Sequence, residues 1–223
     1  MYDYFWHLSK EAVKKLFMNS LKSLLLKTAE PLKLQLTPQI VDHLIKYCEL
    51  LIEYNLTTNL TGSKSVHSFI EGPLFDALTL LALYKPVERT VDIGSGGGLP
   101  AVPLALLYPE TGITMVEPRK KRVEFLKFIT ARLNIKADII QTQDRELKTT
   151  AFDCAVSQAV FSPEKWIMRA KKIVSDSGAI YVLSSMEITE RMLVNRSRIE
   201  RTAKFVRSFD KADRWVSCIR IGS

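Results

Sequence analysis

Glycines alternate in the stretch Gly94-Ser95-Gly96-Gly97-Gly98-Leu99-Pro100, and one acidic residue, Glu117, stands 23 residues after the first of them. The apolar run Thr90–Ile93 before the glycines reads as a buried strand, and the Leu- and Ala-rich stretch after them reads as a helix. A strand that bends through glycines into a helix brings bare backbone N–H groups and the positive end of a helix dipole to one spot. Glycine is required where the bend is sharp and a ligand must approach the main chain. The pattern predicts a nucleotide-like ligand at the C-terminal edge of a parallel sheet. Glu117 ends the next apolar run, Ile113–Val116, where an acidic side chain accepts both hydroxyls of a ribose.

Spacing narrows the ligand. A dinucleotide fingerprint is Gly-x-Gly-x-x-Gly, whose third glycine lets helix and strand pack closely. Here Leu99 occupies that third position, which argues against a nicotinamide dinucleotide. Asp92-x-Gly94-x-Gly96-x-Gly98 instead resembles the first motif of S-adenosylmethionine-dependent methyltransferases.

The elements that must position these residues follow from periodicity. Apolar residues at helical spacing predict a helix over Lys10–Ala29, capped by Ser9, and another from Pro38 to about Tyr54, with Thr37 as cap. A third helix is expected over Val66–Leu83, broken or kinked at Gly72-Pro73. A boundary near Lys85-Pro86 separates this helical extension, residues 1–85, from a domain of residues 86–223. Beyond it, strand and helix alternate: strand 90–93, helix 99–108, strand 113–117, helix 120–133, strands 137–141 and 153–157, helix 163–174, strand 179–183 and helix 189–201. Phe205–Phe209 and Trp215–Ile221 alternate as strands do and form a closing hairpin. Repeated βα units predict a parallel sheet covered on both faces, made mixed by the hairpin.

Composition excludes some classes. With 47% hydrophobic and 25% charged residues the chain is globular, and no apolar run reads as a membrane span. The aromatic stretch Met1–His7 is unlike a secretory leader. Cys48, Cys154 and Cys218 are far apart in apolar contexts, so they read as reduced core residues in a cytoplasmic protein. No metal is expected, since His7, His43 and His67 form no cluster. The net charge of +8 is uneven: residues 1–85 carry +1 and the remainder +7. A polyanionic partner such as nucleic acid is the natural expectation. The basic clusters are Arg119–Arg122, Lys165 with Arg169, Lys171 and Lys172, and Arg191 with Arg196, Arg198, Arg201 and Lys204. Trp166 lies among them and reads more readily as core than as a base-stacking platform.

Asn59-Leu60-Thr61, the run Asp92 to Leu104 with Pro100 and Pro103, and Lys121-Arg122-x-x-Phe125-Leu126 resemble the bacterial small-subunit ribosomal RNA guanine-N7 methyltransferases, the glucose-inhibited division protein B family. The resemblance implies a Rossmann-like class I S-adenosylmethionine-dependent methyltransferase fold, α/β, with a mixed seven-stranded sheet, helices on both faces and an N-terminal helical extension. It implies ribosomal RNA or the small (16S) subunit as partner, and no membrane. Carried over by position, it places Gly94, Ser95, Gly96 and Leu99 along the cofactor, Asp92 near the methionine amine and Glu117 on the ribose. It places Asp144 and Arg145 beside the adenine, and Gln158 after the fourth strand. Guanine N7 loses no proton when methylated, so no catalytic base is nominated.

The sequence departs from that family at three places. Gln158 stands where the family has arginine, Pro73 where a histidine is usual, and Leu183-Ser184-Ser185-Met186 where Leu-Lys-Gly follows the fifth strand. Two other readings fit the same residues: a methyltransferase of a small molecule or protein, and an RNA-binding relative without methyl transfer.

Overall fold

The computed structural model describes residues 9–147, 152–193 and 196–222; the aromatic stretch Met1–His7 lies outside them. Seven strands form one sheet in the order β3-β2-β1-β4-β5-β7-β6. Their ranges are β1 Arg89–Ile93, β2 Gly112–Val116, β3 Asp138–Ile140, β4 Phe152–Val156, β5 Val174–Ser184, β6 Ser197–Val206 and β7 Asp213–Ile221. Strands β1 to β5 pair in parallel, whereas β7 runs antiparallel to both β5 and β6. The chain order reverses between β1 and β4, where open α/β sheets leave a crevice at the carboxyl ends of their strands.

The helices are α1 Lys10–Ala29, α2 Pro38–Thr58, α3 Val66–Phe69, α4 Phe75–Leu83, α5 Ala101–Leu107, α6 Lys120–Arg132 and α7 Pro163–Ala170. Ser9 and Thr37 cap α1 and α2 as their positions predict, through the N–H groups of Ala12 and Ile40. Helices α3 and α4 are joined by a π turn, Ile70–Leu74, that contains Gly72 and Pro73. Proline lacks an N–H, and the wider turn absorbs the break without ending the helix.

Segment Val66–Leu83 has a mean hydropathy of 1.3 over 18 residues, apolar and long enough to cross a membrane by those measures. This corrects the expectation that no apolar run reaches that length. Its apolarity is that of a core helix: Phe75, Leu78 and Leu81 are buried against the sheet in one cluster with Leu44, Met115 and Tyr181. A second cluster on the other face gathers Val91, Ile93, Trp166, Ile167 and Ile180. Trp166 is core, its indole N–H donating to the Tyr181 carbonyl at 2.9 Å.

The largest departure from the sequence reading is at 189–201. In place of a helix there is one 3-10 turn, Glu190–Met192, followed by β6. Half-buried Ile199, Arg201, Ala203 and Phe205 alternate with exposed Arg198, Glu200, Thr202 and Lys204, and an irregularity between Ile199 and Arg201 sets Ile199 against the opposite face from Ala203 and Phe205. A cation in the half-buried register hid the period of two. The Arg201 guanidinium donates to the Tyr181 hydroxyl at 3.2 Å, so it belongs to the sheet's interior side and not to a basic helix face. The third proposed basic cluster therefore does not form one surface. Helix α7 also stops at Ala170, four residues short of the expected end, and β5 begins at Val174.

Candidate active site

The glycine loop leaves β1 at Ile93 and turns across the end of β2. The N–H groups of Gly94 and Ser95 both donate to the Val116 carbonyl, at 2.8 and 3.1 Å. Gly94 and Gly98 adopt φ of 74° and 92°, which residues with a side chain rarely do. Space is equally restrictive. A Cβ on Gly94 would lie 2.7 Å from Val160 Cγ2, and one on Gly98 would lie 2.7 Å from Val102 Cγ2. Helix α5 begins at Ala101, after a turn that takes in Leu99 and Pro100.

Glu117 fastens the loop from below. Its Oε2 accepts the Gly96 N–H at 3.0 Å and its Oε1 accepts the Arg119 N–H at 2.9 Å. The side chain is almost fully buried. Arg122 Nη1 lies 3.9 Å from Glu117 Oε2, while its Nη2 donates to the Asn59 carbonyl at 3.1 Å. One arginine thus joins the acidic strand end to the loop after α2. That loop is itself shaped by Asn55, whose side-chain oxygen accepts the N–H groups of Leu60 and Thr61. Arg122 therefore faces inward, whereas Arg119, Lys120 and Lys121 of the same basic run are exposed.

Asp92 sits at the end of β1 beneath the loop, fully buried. Neither carboxylate oxygen has a hydrogen-bond partner. Burial pushes its pKa up to about 8; the nearby Ser95 hydroxyl and Ala101 N–H pull the other way without forming a bond to it, and Glu117 raises it further. A buried carboxylate without a donor or a cation is costly, so this position is incomplete as it stands.

A cavity of about 390 Å³ opens over the loop. Gly94, Ser95, Gly96, Leu99 and Gln158 all line it, as do Thr61, Phe69, Pro73, Asp76, Arg122 and Arg207. The structure thus gathers five of the residues singled out from sequence at one opening, with Asp92 and Glu117 directly behind the loop. Asp144 and Arg145 do not line it. They form a single turn past β3, where Asp144 is ion-paired with Arg169 of α7 and Arg145 is exposed.

Four residues were missed by sequence reasoning: Tyr47, Asp76, Arg207 and Arg214. Tyr47 is buried on α2 and its hydroxyl donates to the Gly97 carbonyl at 2.7 Å. Arg214 Nε donates to Asp76 Oδ1 at 2.8 Å, and Arg207 Nη1 lies 3.7 Å from Asp76 Oδ2. These contacts join residues fifty or more positions apart, and no local pattern carries them. Burial raises the Asp76 pKa, and Arg214 and then Arg207 hold it back. Among the described residues no group of three or more His, Cys, Asp or Glu comes together.

Residues 40–215 match the family described as rRNA small subunit methyltransferase G. A ribosomal RNA small subunit methyltransferase G of Helicobacter pylori is 37% identical over 134 residues, 59% of this chain and 75% of that protein. One from Francisella philomiragia is 29% identical over 180 residues, 80% of this chain and 87% of that protein. Among solved structures, a SAM-dependent methyltransferase from Aquifex aeolicus shares the fold, with a TM-score of 0.50 at 13% identity, covering 69% of this chain and 93% of that one.

Proposed function

The chain belongs to the rRNA small subunit methyltransferase G family, and from that premise we propose that it transfers a methyl group from S-adenosylmethionine to N7 of a guanine in small-subunit ribosomal RNA. The observation that carries this reading is the buried, unpartnered carboxylate of Asp92 under a loop whose glycines admit no side chain. What that position lacks is a cation, and the cofactor's ammonium is one. Glu117 would hold the ribose: each of its oxygens accepts one backbone N–H and keeps lone-pair capacity for a hydroxyl. Gly94, Ser95, Gly96 and Leu99 would lie along the cofactor, with Gln158 opposite. The turn of Asp144 and Arg145 is assigned to the adenine rim through its backbone.

S-adenosylmethionine supplies a methyl group already activated by a positively charged sulfur. Guanine N7 holds a lone pair at neutral pH and loses no proton on methylation, so no general base is needed. The carboxylate that lines the cavity, Asp76, is engaged by Arg214 and Arg207. What the chain contributes is position and exclusion of water. Leu51, Leu60, Phe69 and Leu99 form the apolar wall for both. Exposed Arg119, Lys120 and Lys121, at the rim beside Glu117, are placed to meet RNA phosphates. We assign residues 1–85 as the helical extension and 86–223 as the methyltransferase domain. The free, buried Cys48, Cys154 and Cys218 suit a reducing, cytoplasmic setting.

The test incubates the protein with methyl-labelled S-adenosylmethionine and small-subunit RNA from cells lacking it, followed by digestion and mass spectrometry of nucleosides. Label in 7-methylguanosine is expected. Label in another nucleoside, or RNA binding without label, refutes the assignment.

A further inference from the structure

Two buried polar atoms at the cavity have no partner, and they are of opposite kinds. Arg207 Nε is a donor and Gln158 Oε1 is an acceptor. Both residues line the cavity above the glycine loop, and both reach the same π turn. Gln158 Nε2 donates to the Pro73 carbonyl at 2.9 Å, and Arg207 Nη1 lies 3.9 Å from where a Cβ on Gly72 would stand. The rest of Arg207 is fully engaged. Its Nη2 donates to Asp210 at 2.6 Å, its Nη1 faces Asp76, and its guanidinium lies 5.1 Å from the centre of the Phe209 ring. Its backbone closes the β6–β7 hairpin through Ala212. An ion pair alone would explain the terminal nitrogens and leave the buried Nε unsatisfied, which is unfavourable.

We propose that Arg207 and Gln158 read the Watson–Crick edge of the target guanine, Arg207 Nε–H donating to O6 and Gln158 Oε1 accepting from N1–H. This rests on the methyltransferase reading above. Methylation at N7 requires the edge that carries N7 to stay open to the methyl donor, so the enzyme must hold guanine by its Watson–Crick edge, O6, N1 and N2. One donor and one acceptor on the wall of one cavity complement O6 and N1–H. Adenine presents an amine and a bare N1 there, so it would set donor against donor and acceptor against acceptor. Both protein atoms are sealed from water, and both belong to residues that line the cavity. Having no water to lose, they gain the full hydrogen bond when the base arrives.

The test uses a small-subunit RNA fragment carrying guanine or 2-aminopurine at the methylated position. 2-Aminopurine keeps N7 and the 2-amino group but lacks O6 and the N1 hydrogen. The wild-type protein should prefer guanine in kcat/KM by roughly 100-fold or more. Arg207→Lys keeps a cation for Asp76 and Asp210 but has no Nε–H, and Gln158→Leu removes the acceptor without touching the ion pairs. Each should reduce the preference below about 10-fold, chiefly by slowing guanine and not 2-aminopurine. Slowing of both bases by the same factor in both variants would overturn the proposal, as would an undiminished preference. If the wild-type protein methylates neither fragment, it is the functional assignment that fails. Thermal melts identify a variant that has not folded, and the other then decides.

Discussion

The Tyr47 hydroxyl donates to the Gly97 carbonyl at 2.7 Å, so the second helix of the N-terminal extension is bonded directly to the glycine loop fifty residues later. Leu51, one turn further along α2, would lie 3.0 Å from a Cβ on Gly97. The extension therefore acts as a wall of the cavity over the loop. Tyr47→Phe keeps the ring and its edge-to-face contact with Phe69 but leaves the Gly97 carbonyl without this donor. It should cost about 1–2 kcal/mol of stability and weaken cofactor binding several-fold. Denaturant melts and calorimetry measure the two; unchanged affinity would remove α2 from the site.

Asp92 gives a pH dependence with a definite sign. Its pKa in the fold, about 8, exceeds the unfolded value of about 3.9. Its contribution to stability is therefore fully present below about pH 4 and is lost as pH rises toward about 8. Asp92→Asn abolishes that component, so without ligand the variant should gain stability over wild type by several kcal/mol as pH climbs through this window, while losing affinity for the cofactor. At pH 7 the wild-type carboxyl is mostly protonated, and pairing with the ammonium should release about one proton per cofactor bound. Calorimetry in two buffers of different ionisation enthalpy reads that proton directly. No release would mean the ammonium binds elsewhere.

Gly94 and Val160 make a paired prediction. Gly94→Ala places a methyl 2.7 Å from Val160 Cγ2 at a φ of 74°. The steric part and the backbone part each cost on the order of 1–3 kcal/mol. Adding Val160→Ala should restore the steric part of cofactor affinity and leave the backbone part. A double variant no better than the single one would show that the loop after β4 does not press on Gly94 in solution.

The basic residues divide into two kinds with different readouts. Arg201 faces inward on β6, so Arg201→Ala should lower stability by about 1 kcal/mol and leave the salt dependence of RNA binding unchanged. Arg119→Ala with Lys121→Ala should instead flatten that dependence, by roughly one unit of slope per lost phosphate contact. Filter binding across a salt series separates them, and a flatter slope for Arg201→Ala would return that residue to the RNA surface.

Most of the βα core was legible from sequence because its signals are local. Glycine spacing, the apolar runs ending at Ile93 and Val116, and the caps Ser9 and Thr37 each act within a few residues. Trp215–Ile221 was legible as the strand that became β7, but most of β6 was not, because Arg201 occupies a half-buried strand position and breaks the alternation that would have announced it. The cavity's far wall was invisible for a different reason. Asp76, Arg207 and Arg214 meet only because β7 is inserted between β5 and β6, a matter of strand order. Gln158 and Pro73 stood out separately as unusual residues, and only the fold shows that they bond to each other.

Segment Val66–Leu83 has a consequence for how the chain is made. It emerges from the ribosome before part of the surface that covers it, which belongs to β5, β6 and β7, strands synthesised well after it. At typical elongation rates that apolar helix waits on the order of ten seconds for its partners. Translation must therefore proceed with a greasy rod exposed. Its shelter in that interval falls to chaperones or to the neighbouring helices α1 and α2, already free of the exit tunnel.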